Sequence, residues 1–153
     1  MQLTIIAASS RQPEWVETAF TAYAKRFSGA LRLQYTQVRL AKNPAAGRRR
    51  AQEGEKLLAA VPRGALLVAL DEAGQSWSTR RLAALLEGWI AQAARPCFVI
   101  GGPDGLDPAV LEAARLRWSL SALTLPHALA RIIVAESLYR ASSLLSGHPY
   151  HRE

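Results

Sequence analysis

The stretch PCFVIGGPDGLDP, residues 96–108, joins a short apolar run to two adjacent glycines and a turn. An apolar run of this length, bounded by proline and glycine, predicts a β-strand. Further runs of the same type are LTIIAA at 3–8, LRLQYTQV at 31–38, ALLVAL at 65–70 and RWSL at 117–120. We therefore expect a sheet built from these runs.

Helical patterns alternate with the strands and predict the order β-α-β-α-β-α-β-α-β-α. The first helix is expected to begin near Pro13 and to end at Phe27, with an apolar face formed by Trp15, Ala19, Ala22 and Tyr23. A later helix is expected to start near Ser78, whose hydroxyl can cap it. This alternation predicts an α/β fold in which helices flank a mostly parallel sheet. Because no linker divides the chain, residues 1–153 are interpreted as a single domain.

The composition is that of a globular chain with an excess of positive charge. Half of the residues are hydrophobic, and the formal net charge is +7. Such a charge attracts RNA, DNA or acidic lipid without choosing among them. Residues 1–15 lack a cationic leader, and no run reaches the roughly 20 apolar residues of a membrane helix, so we expect a cytoplasmic protein. Cys97 is the only cysteine and is expected to be a core residue.

Positive charge is concentrated in the stretch RLAKNPAAGRRR, which runs from Arg39 to Arg50 and contains no acid. Asn43, Pro44 and Gly47 are expected to interrupt regular structure there. The stretch is therefore predicted to be an exposed basic loop that leads into the second helix. Contact with RNA and a merely solvated surface are both compatible with this composition.

Three segments leave the predicted strands at their carboxyl ends, where open parallel sheets bind ligands. They begin at Asp71, Gly101 and Ser121. Adjacent glycines at 101 and 102 permit close approach of the backbone to a ligand, although a tight turn is an equal alternative. The small, apolar loop SALTLP suits the flat ring of an adenosine, although a buried connection has the same composition. Neither a phosphate loop nor a dinucleotide fingerprint occurs in the sequence.

The helix expected after this loop, HALARIIVAESLYRASSLL at 127–145, carries apolar residues on more than one face. Such a helix is expected to pack on the sheet and on another subunit. His127, at its start, is expected to be structural. The chain then ends in GHPYHRE, which holds two of its three histidines beside a tyrosine and an arginine. Either this concentration of groups that stack, donate and titrate is chance, or the terminal segment belongs to a functional site.

Three blocks, IGGPDGL, WSLSALTLPHALARIIVAESLYRA and HPYHRE, together resemble the RlmH family of ribosomal large-subunit pseudouridine N3-methyltransferases, in the SPOUT superfamily. The likeness runs the length of the chain. It implies an α/β fold with a C-terminal trefoil knot and S-adenosylmethionine as the cofactor. It also implies cofactor contacts at the three strand exits, which correspond here to Leu70, Gly102, Ser121, Ala122, Leu123, Thr124, Leu125 and Pro126.

The resemblance further implies the substrate and the assembly. The family methylates a pseudouridine in a stem-loop of large-subunit (23S) ribosomal RNA, on assembled ribosomes. The enzyme is implied to be a homodimer in which the cofactor pocket of one subunit faces residues of the other. The implied partners are therefore a second subunit and 23S ribosomal RNA in the large subunit or whole ribosome, with no DNA and no membrane.

The candidate catalytic residues lie near the C-terminus: Arg140, Tyr150, His151 and Arg152. A cation near N3 favours the anion that develops there, but Arg140 can also form an ordinary intrahelical pair with Glu136. His151 is either a general base or a contact to phosphate or to a base. Tyr150 can stack on a base and Arg152 can bind phosphate. No metal site is expected.

Two structural expectations accompany these assignments. A side chain added at Gly102 is expected to meet the cofactor, and residues 150–153 are expected to bury little surface. Two other functions fit part of the sequence. A non-catalytic RNA-binding or ribosome-binding protein would explain the charge and the terminus, and a Rossmann-like nucleotide-binding module would explain the strand exits.

Overall fold

The computed structural model describes residues 1–152, in which strands and helices alternate as predicted. The strands are β1 Gln2–Ala8, β2 Arg32–Val38, β3 Leu66–Ser76, β4 Pro96–Ile100 and β5 Leu116–Ser119. The helices are α1 Glu14–Ala24, α2 Ala46–Ala60, α3 Thr79–Ala91, α4 Pro108–Ala113 and α5 His127–Ser146. A short 3-10 helix, Pro149–Arg152, follows. Glu153, the last residue of the terminal segment, lies outside the described residues.

The strands form one sheet in the order β2-β1-β4-β3-β5, with parallel pairing between neighbours. Both faces of β1 and β4 are buried because helices cover both sides of the sheet. Leu3 and Ile5 pack beneath α1, α3 and α5, while Ile6 and Ala8 pack beneath α2 and α4. The predicted α/β fold with helices on a parallel sheet is confirmed.

The first helix is shorter than predicted, because it ends at Ala24 rather than at Phe27. Val16 and Phe20 form its buried face. Trp15 was expected on that face but is 56% exposed. Adjacent helical residues point about 100° apart, so Trp15 turns outward when Val16 meets the core. The prediction for Trp15 was therefore wrong.

The third strand is longer than predicted, because it continues past Leu70. Residues 71–74 interrupt its ladder with β5 before pairing resumes at Gln75. A Cβ at Gly74 would lie 2.7 Å from the carbonyl carbon of Arg117, so a glycine lets this backbone pack directly on β5. The first exit segment is thus an irregularity within a strand and not a loop after it.

The second helix begins within the basic stretch, at Ala46, so residues 48–50 lie in its first turns and not in a loop. Gly47 is also helical, contrary to the prediction that it would interrupt regular structure. The third helix begins as predicted, since the hydroxyl of Ser78 accepts a hydrogen bond from the backbone N–H of Arg81 at 3.1 Å.

The last helix, α5, buries mainly one broad face in the single chain, so its packing on a second subunit stays a prediction. Ala130, Val134 and Leu138 reach the core, while Leu129 and Leu145 remain partly exposed. Even so, neither α5 nor any other helix within residues 1–152 has the length and apolar character needed to cross a membrane.

Candidate active site

A cavity of about 870 Å³ opens at the carboxyl ends of β3, β4 and β5, against the start of α5. It brings together the three strand exits that the sequence singled out. Of the predicted cofactor-binding residues, the cavity is lined by Leu70, Gly102, Ser121, Leu123, Thr124, Leu125 and Pro126. Ala122 lies in the same loop but outside this lining.

The turn after β4 needs its glycines for packing. A Cβ at Gly101 would lie 2.6 Å from the carbonyl carbon of Gly105, across the turn. A Cβ at Gly102 would lie 2.8 Å from Leu40 Cδ2 and 2.9 Å from Glu53 Oε1. Neither of these two side chains lines the cavity. The expectation that a side chain at Gly102 would meet the cofactor is therefore wrong, because the side chain would point into the protein.

The loop after β5 is folded by its own serines. The hydroxyl of Ser119 donates to the carbonyl of Ser121 at 3.1 Å, and Oγ of Ser121 accepts from the backbone N–H of Leu123 at 2.9 Å. The side chain of Leu123 is 72% exposed, whereas that of Leu125 is half-buried. Leucine side chains beside backbone polar groups suit a flat apolar ring with polar edges.

A histidine that the sequence assigned only a structural role lines the same cavity. Nε2 of His127 lies 2.9 Å from the hydroxyl of buried Ser9, directly after β1. The side chain of Gln12 donates to the same hydroxyl at 2.9 Å. Burial lowers the pKa of His127, so its ring is neutral at pH 7. The contact joins α5 to β1, and it places an uncharged imidazole at the cavity wall.

Sequence reasoning missed a buried arginine one turn further along α5. Arg131 is 3% exposed and forms a bidentate ion pair with Glu17 of α1, at 2.8 and 3.0 Å. Its guanidinium lies 3.5 Å from the centre of the Tyr35 ring. The available signal was a charged residue within an apolar helical sequence, which needs a partner when it is buried. This pair ties α1 to α5 beside the cavity.

The terminal 3-10 helix folds back onto α5 and onto the segment that follows α1. The ring centroid of Tyr150 lies 4.7 Å from that of Tyr139, and the guanidinium of Arg26 lies 5.4 Å from the Tyr150 ring. The hydroxyl of Tyr150 donates to Oε1 of Glu136 at 3.0 Å. The expectation that the terminal segment buries little surface is wrong for Tyr150, because this ring packs against Tyr139 of α5 and Arg26 after α1.

Arg140 makes the intrahelical pair that the sequence left open. Its Nη2 lies 2.7 Å from Oε1 of Glu136, and its guanidinium lies 4.9 Å from the centre of the Tyr150 ring. Burial, and then the hydrogen bond to Glu136, raise the pKa of Tyr150 to about 12. The phenol therefore stays protonated at neutral pH, where it can donate a proton in a hydrogen bond but cannot act as a base.

The remaining terminal candidates lie in different environments. Within residues 1–152, Nδ1 of His151 is buried and has no hydrogen-bond partner. Arg152 is exposed. Nδ1 of His148 accepts from the backbone N–H of Tyr150 at 3.2 Å, which gives His148 a structural contact. Of the two histidines in this segment, His151 therefore has a buried ring nitrogen without a hydrogen bond to residues 1–152.

We call Arg140, Tyr150, His151 and Arg152, with the side chains around them, the terminal cluster. In one chain, this cluster and the cavity lie apart along α5. His127 starts the helix at the cavity, and Glu136 contacts the terminal segment. Their separation in sequence corresponds to about 13 Å along the helix axis. Within residues 1–152, the predicted cofactor-binding residues come together at the cavity, and Arg140 lies beside Tyr150. The cavity and the predicted catalytic residues are not in contact.

Metal and thiol groups offer little chemistry in this region. Among residues 1–152, no three histidine, cysteine, aspartate or glutamate side chains come together as metal ligands. Cys97 is buried in β4, and burial raises the pKa of its thiol to about 11. The thiolate, which is the reactive form, is therefore rare at neutral pH.

A single family model matches nearly the whole chain. That model, described as a predicted SPOUT methyltransferase, matches residues 1–151. This chain belongs to the SPOUT methyltransferase family. The prediction of a methyltransferase that uses S-adenosylmethionine is confirmed by membership of this SPOUT family, and the C-terminal knot is implied by it. The non-catalytic RNA-binding protein and the Rossmann-like module are set aside for the same reason.

The chain is also similar to individual known proteins. Ribosomal RNA large subunit methyltransferase H of Azotobacter vinelandii (strain DJ / ATCC BAA-1303) is 48% identical over 155 residues, covering 99% of this chain and 100% of that protein. A probable methyltransferase from Bordetella pertussis Tohama I is 18% identical, with a TM-score of 0.53 over 92% of this chain and 95% of that chain. The SpoU methyltransferase AviRb from Streptomyces viridochromogenes, solved with AdoMet, is 15% identical, with a TM-score of 0.46 over 93% of this chain and 57% of that chain. The 48% identity to ribosomal RNA large subunit methyltransferase H confirms the resemblance found in the sequence.

The chemistry of the cavity lining fits S-adenosylmethionine. Leu123 and Leu125 would supply apolar surface for the adenine ring. Asp71 and Glu72 line the same cavity, where their carboxylates would attract the positive charge of the sulfonium and amino groups. Because His127 is neutral, it adds no repulsion. The residues present therefore fit the cofactor that the SPOUT family uses.

Proposed function

We propose that this protein transfers a methyl group from S-adenosylmethionine to N3 of a pseudouridine in a stem-loop of 23S ribosomal RNA. The observation that carries the proposal is the 48% identity, over the full chain, to a relative named as a ribosomal RNA large subunit methyltransferase. The net charge of +7 suits an RNA substrate. The substrate form is the large subunit or the assembled ribosome, and the protein acts in the cytoplasm.

The three strand exits bind the cofactor in this proposal. The loop of residues 121–126 covers the adenosine, and the backbone of Leu70 and of Gly102 completes the wall. Asp71 and Glu72 orient the charged end by attraction. When bound, S-adenosylmethionine supplies an electrophilic methyl group, and the protein needs mainly to hold the target nitrogen in line with it.

The terminal cluster acts on the target base. The N3–H of pseudouridine lies between two carbonyls and is weakly acidic, so a cation such as Arg140 stabilises the anion that forms when the proton leaves. His151 accepts that proton as a general base in this proposal. Tyr150 donates a hydrogen bond or stacks on a base, and Arg152 binds phosphate.

A homodimer completes the site. The cavity and the terminal cluster are about 13 Å apart along α5 of one chain, so a second copy of the chain is needed to bring them face to face. Leu129 and Leu145 leave apolar surface on the same helix, which suits packing against a twin. We propose that the terminal segment of one subunit reaches the cavity of the other.

Mapping methyl groups on 23S ribosomal RNA tests the substrate. RNA from a strain that lacks this protein should lose one methylated pseudouridine by mass spectrometry, and a plasmid copy of the gene should restore it. Purified protein with labelled S-adenosylmethionine should modify ribosomes from the deletion strain and not those from the parent. An unchanged methylation map in the deletion strain would overturn the proposed substrate.

Subunit mixing tests the shared site. Leu125→Arg should block the cavity and Arg140→Ala should disable the terminal cluster, so each homodimer should be nearly inactive. A mixed dimer carries one intact cavity facing one intact terminal segment, and mixing should therefore restore activity. If each site lies within one chain, mixing the two variants should restore nothing.

A further inference from the structure

The amino acids at the beginning of α2 are unfavourable for the N-terminus of a helix. Its first turns carry arginines at 48–50 and no acidic residue, and Ala45 at the N-cap makes no side-chain hydrogen bond. Cations are unfavourable there because the helix dipole places positive partial charge at the N-terminus. The reason for at least one of these arginines must therefore lie in its tertiary contacts.

Arg49 joins three segments of the chain. Its Nε and Nη2 donate to Oδ2 and Oδ1 of Asp104 at 2.9 and 3.2 Å. Its Nη1 donates to the carbonyls of Asn43 and Pro44 at 2.9 and 3.0 Å. The side chains of the ion pair are only 30% and 21% exposed. The hydrogen bond to Arg49 lowers the pKa of Asp104, so the carboxylate stays charged across the physiological range.

Asp104 belongs to the turn that forms one wall of the cavity. Its neighbours Pro103 and Gly105 line the cavity, while its own carboxylate faces α2. Earlier in the same turn, a Cβ at Gly102 would lie 2.9 Å from Oε1 of Glu53, which is also on α2. Glu53 is 2% exposed, and its Oε2 accepts from the backbone N–H of Ala41 at 2.9 Å. The basic stretch and the first turns of α2 thus form the outer support of the cavity wall.

We propose that Arg49 is a positioning residue for the cofactor, because its bidentate pair with Asp104 holds the turn at residues 101–105 in the shape the cavity needs. Two parallel hydrogen bonds restrict orientation as well as distance, which a single contact does not. The inference rests on the proposed function of the cavity as the S-adenosylmethionine site. It assigns this part of the basic stretch to the cofactor, and leaves the exposed Arg48 as a candidate RNA contact.

Calorimetric titration with S-adenosylmethionine tests this role. Arg49→Gln and Asp104→Asn each remove the ion pair while keeping a polar side chain. Each should weaken cofactor binding about threefold to tenfold and raise the KM for the cofactor, with little change in kcat at saturating cofactor. The double variant should bind no more weakly than the weaker single variant, because both changes remove the same interaction.

Arg48→Gln is the matched control, since it removes the same charge from the neighbouring exposed position. It should leave cofactor affinity within about twofold of wild type. Asp104→Glu, which keeps the charge on a longer side chain, should give an intermediate loss and serves if another variant folds poorly. Wild-type protein that binds no cofactor would overturn the proposed function itself. Normal affinity in both single variants, or additive losses in the double variant, would overturn only the positioning role.

Discussion

The cofactor cavity and the terminal cluster are built from different parts of the polypeptide. The cavity is shaped by backbone at three strand exits, and small residues and leucines dominate its wall. The terminal cluster is a set of side chains, in which Tyr139, Tyr150 and Arg26 contact one another and Glu136 anchors the tyrosine hydroxyl. One region depends on chain geometry, and the other on ring and charge chemistry.

This difference separates the effects expected of mutations. Changes in the terminal cluster should lower turnover on ribosomes and leave cofactor affinity nearly intact. Changes at the strand exits should act on cofactor affinity or on folding, since the same backbone forms the wall and the core. Only residues on α5, which belongs to both regions, should affect both.

Removing residues 150–153 gives the largest expected effect. The deletion removes Tyr150 together with the candidates His151 and Arg152. Turnover on ribosomes should fall about a hundredfold or more, because loss of a general base such as His151 alone costs about that factor. Single-turnover methylation with labelled cofactor measures this, while calorimetric affinity for the cofactor should stay within about twofold.

Stability provides the control for this deletion. Loss of the packed Tyr150 ring should lower the free energy of unfolding by about 1–3 kcal/mol, whereas Tyr150→Phe, which loses only the hydroxyl, should cost about 1 kcal/mol. Urea unfolding measures both. A truncated protein that methylates ribosomes at the wild-type rate would show that the terminal segment is not part of the site.

Gly102→Ala tests whether the strand-exit glycines serve packing. Its new Cβ would lie 2.8 Å from Leu40 Cδ2 and 2.9 Å from Glu53 Oε1. Such overpacking should lower the free energy of unfolding by about 1–3 kcal/mol in urea. Gly88→Ala is the matched control, because its Cβ meets nothing within 4 Å inside α3. This control should stabilise the protein by about 0.5–1 kcal/mol, and equal effects of the two changes would contradict the packing role.

Leu125→Ala tests the cavity wall directly. Losing this apolar surface should weaken S-adenosylmethionine binding about fivefold to tenfold. Ile90→Ala removes a side chain of the same size from an exposed site on α3 that does not line the cavity, and cofactor affinity should not change. Calorimetry compares the two variants, and equal affinities would exclude Leu125 from the binding surface.

His127 should give the smallest effect, visible only as a pH dependence. Burial lowers its pKa, so the unfolded chain, with a histidine pKa of about 6.5, binds a proton more readily than the folded protein does. His127 therefore leaves the free energy of unfolding unchanged at pH values well above the pKa of the unfolded histidine. The free energy of unfolding declines as the pH falls through that pKa. His127→Gln should reduce the loss of stability that urea unfolding measures between pH 7.5 and pH 5.5. An unaltered pH dependence in the His127 variant would show that the contact with Ser9 does not depend on the charge of the ring.

Some errors of prediction have a common physical origin. The helical pattern around Trp15 was recognised correctly, but periodicity does not say which of two adjacent faces meets the sheet. Gly47 was expected to break regular structure, yet a helix includes it, because tertiary contacts override a weak local preference. In the same way, Leu70 was taken as a strand end because the residues after it are polar, although the strand resumes beyond them.

The sequence alone determined the α/β class, the parallel sheet, the strand exits after β4 and β5, and the family. These features depend on periodicity, on turn residues and on motifs, all of which extend over a few consecutive residues. Only the tertiary structure decided where Gly102 points, that Arg49 reaches Asp104 across 55 residues, and that His127 meets Ser9 across 118. Such contacts form only when distant strands and helices are placed side by side, so no local pattern records them.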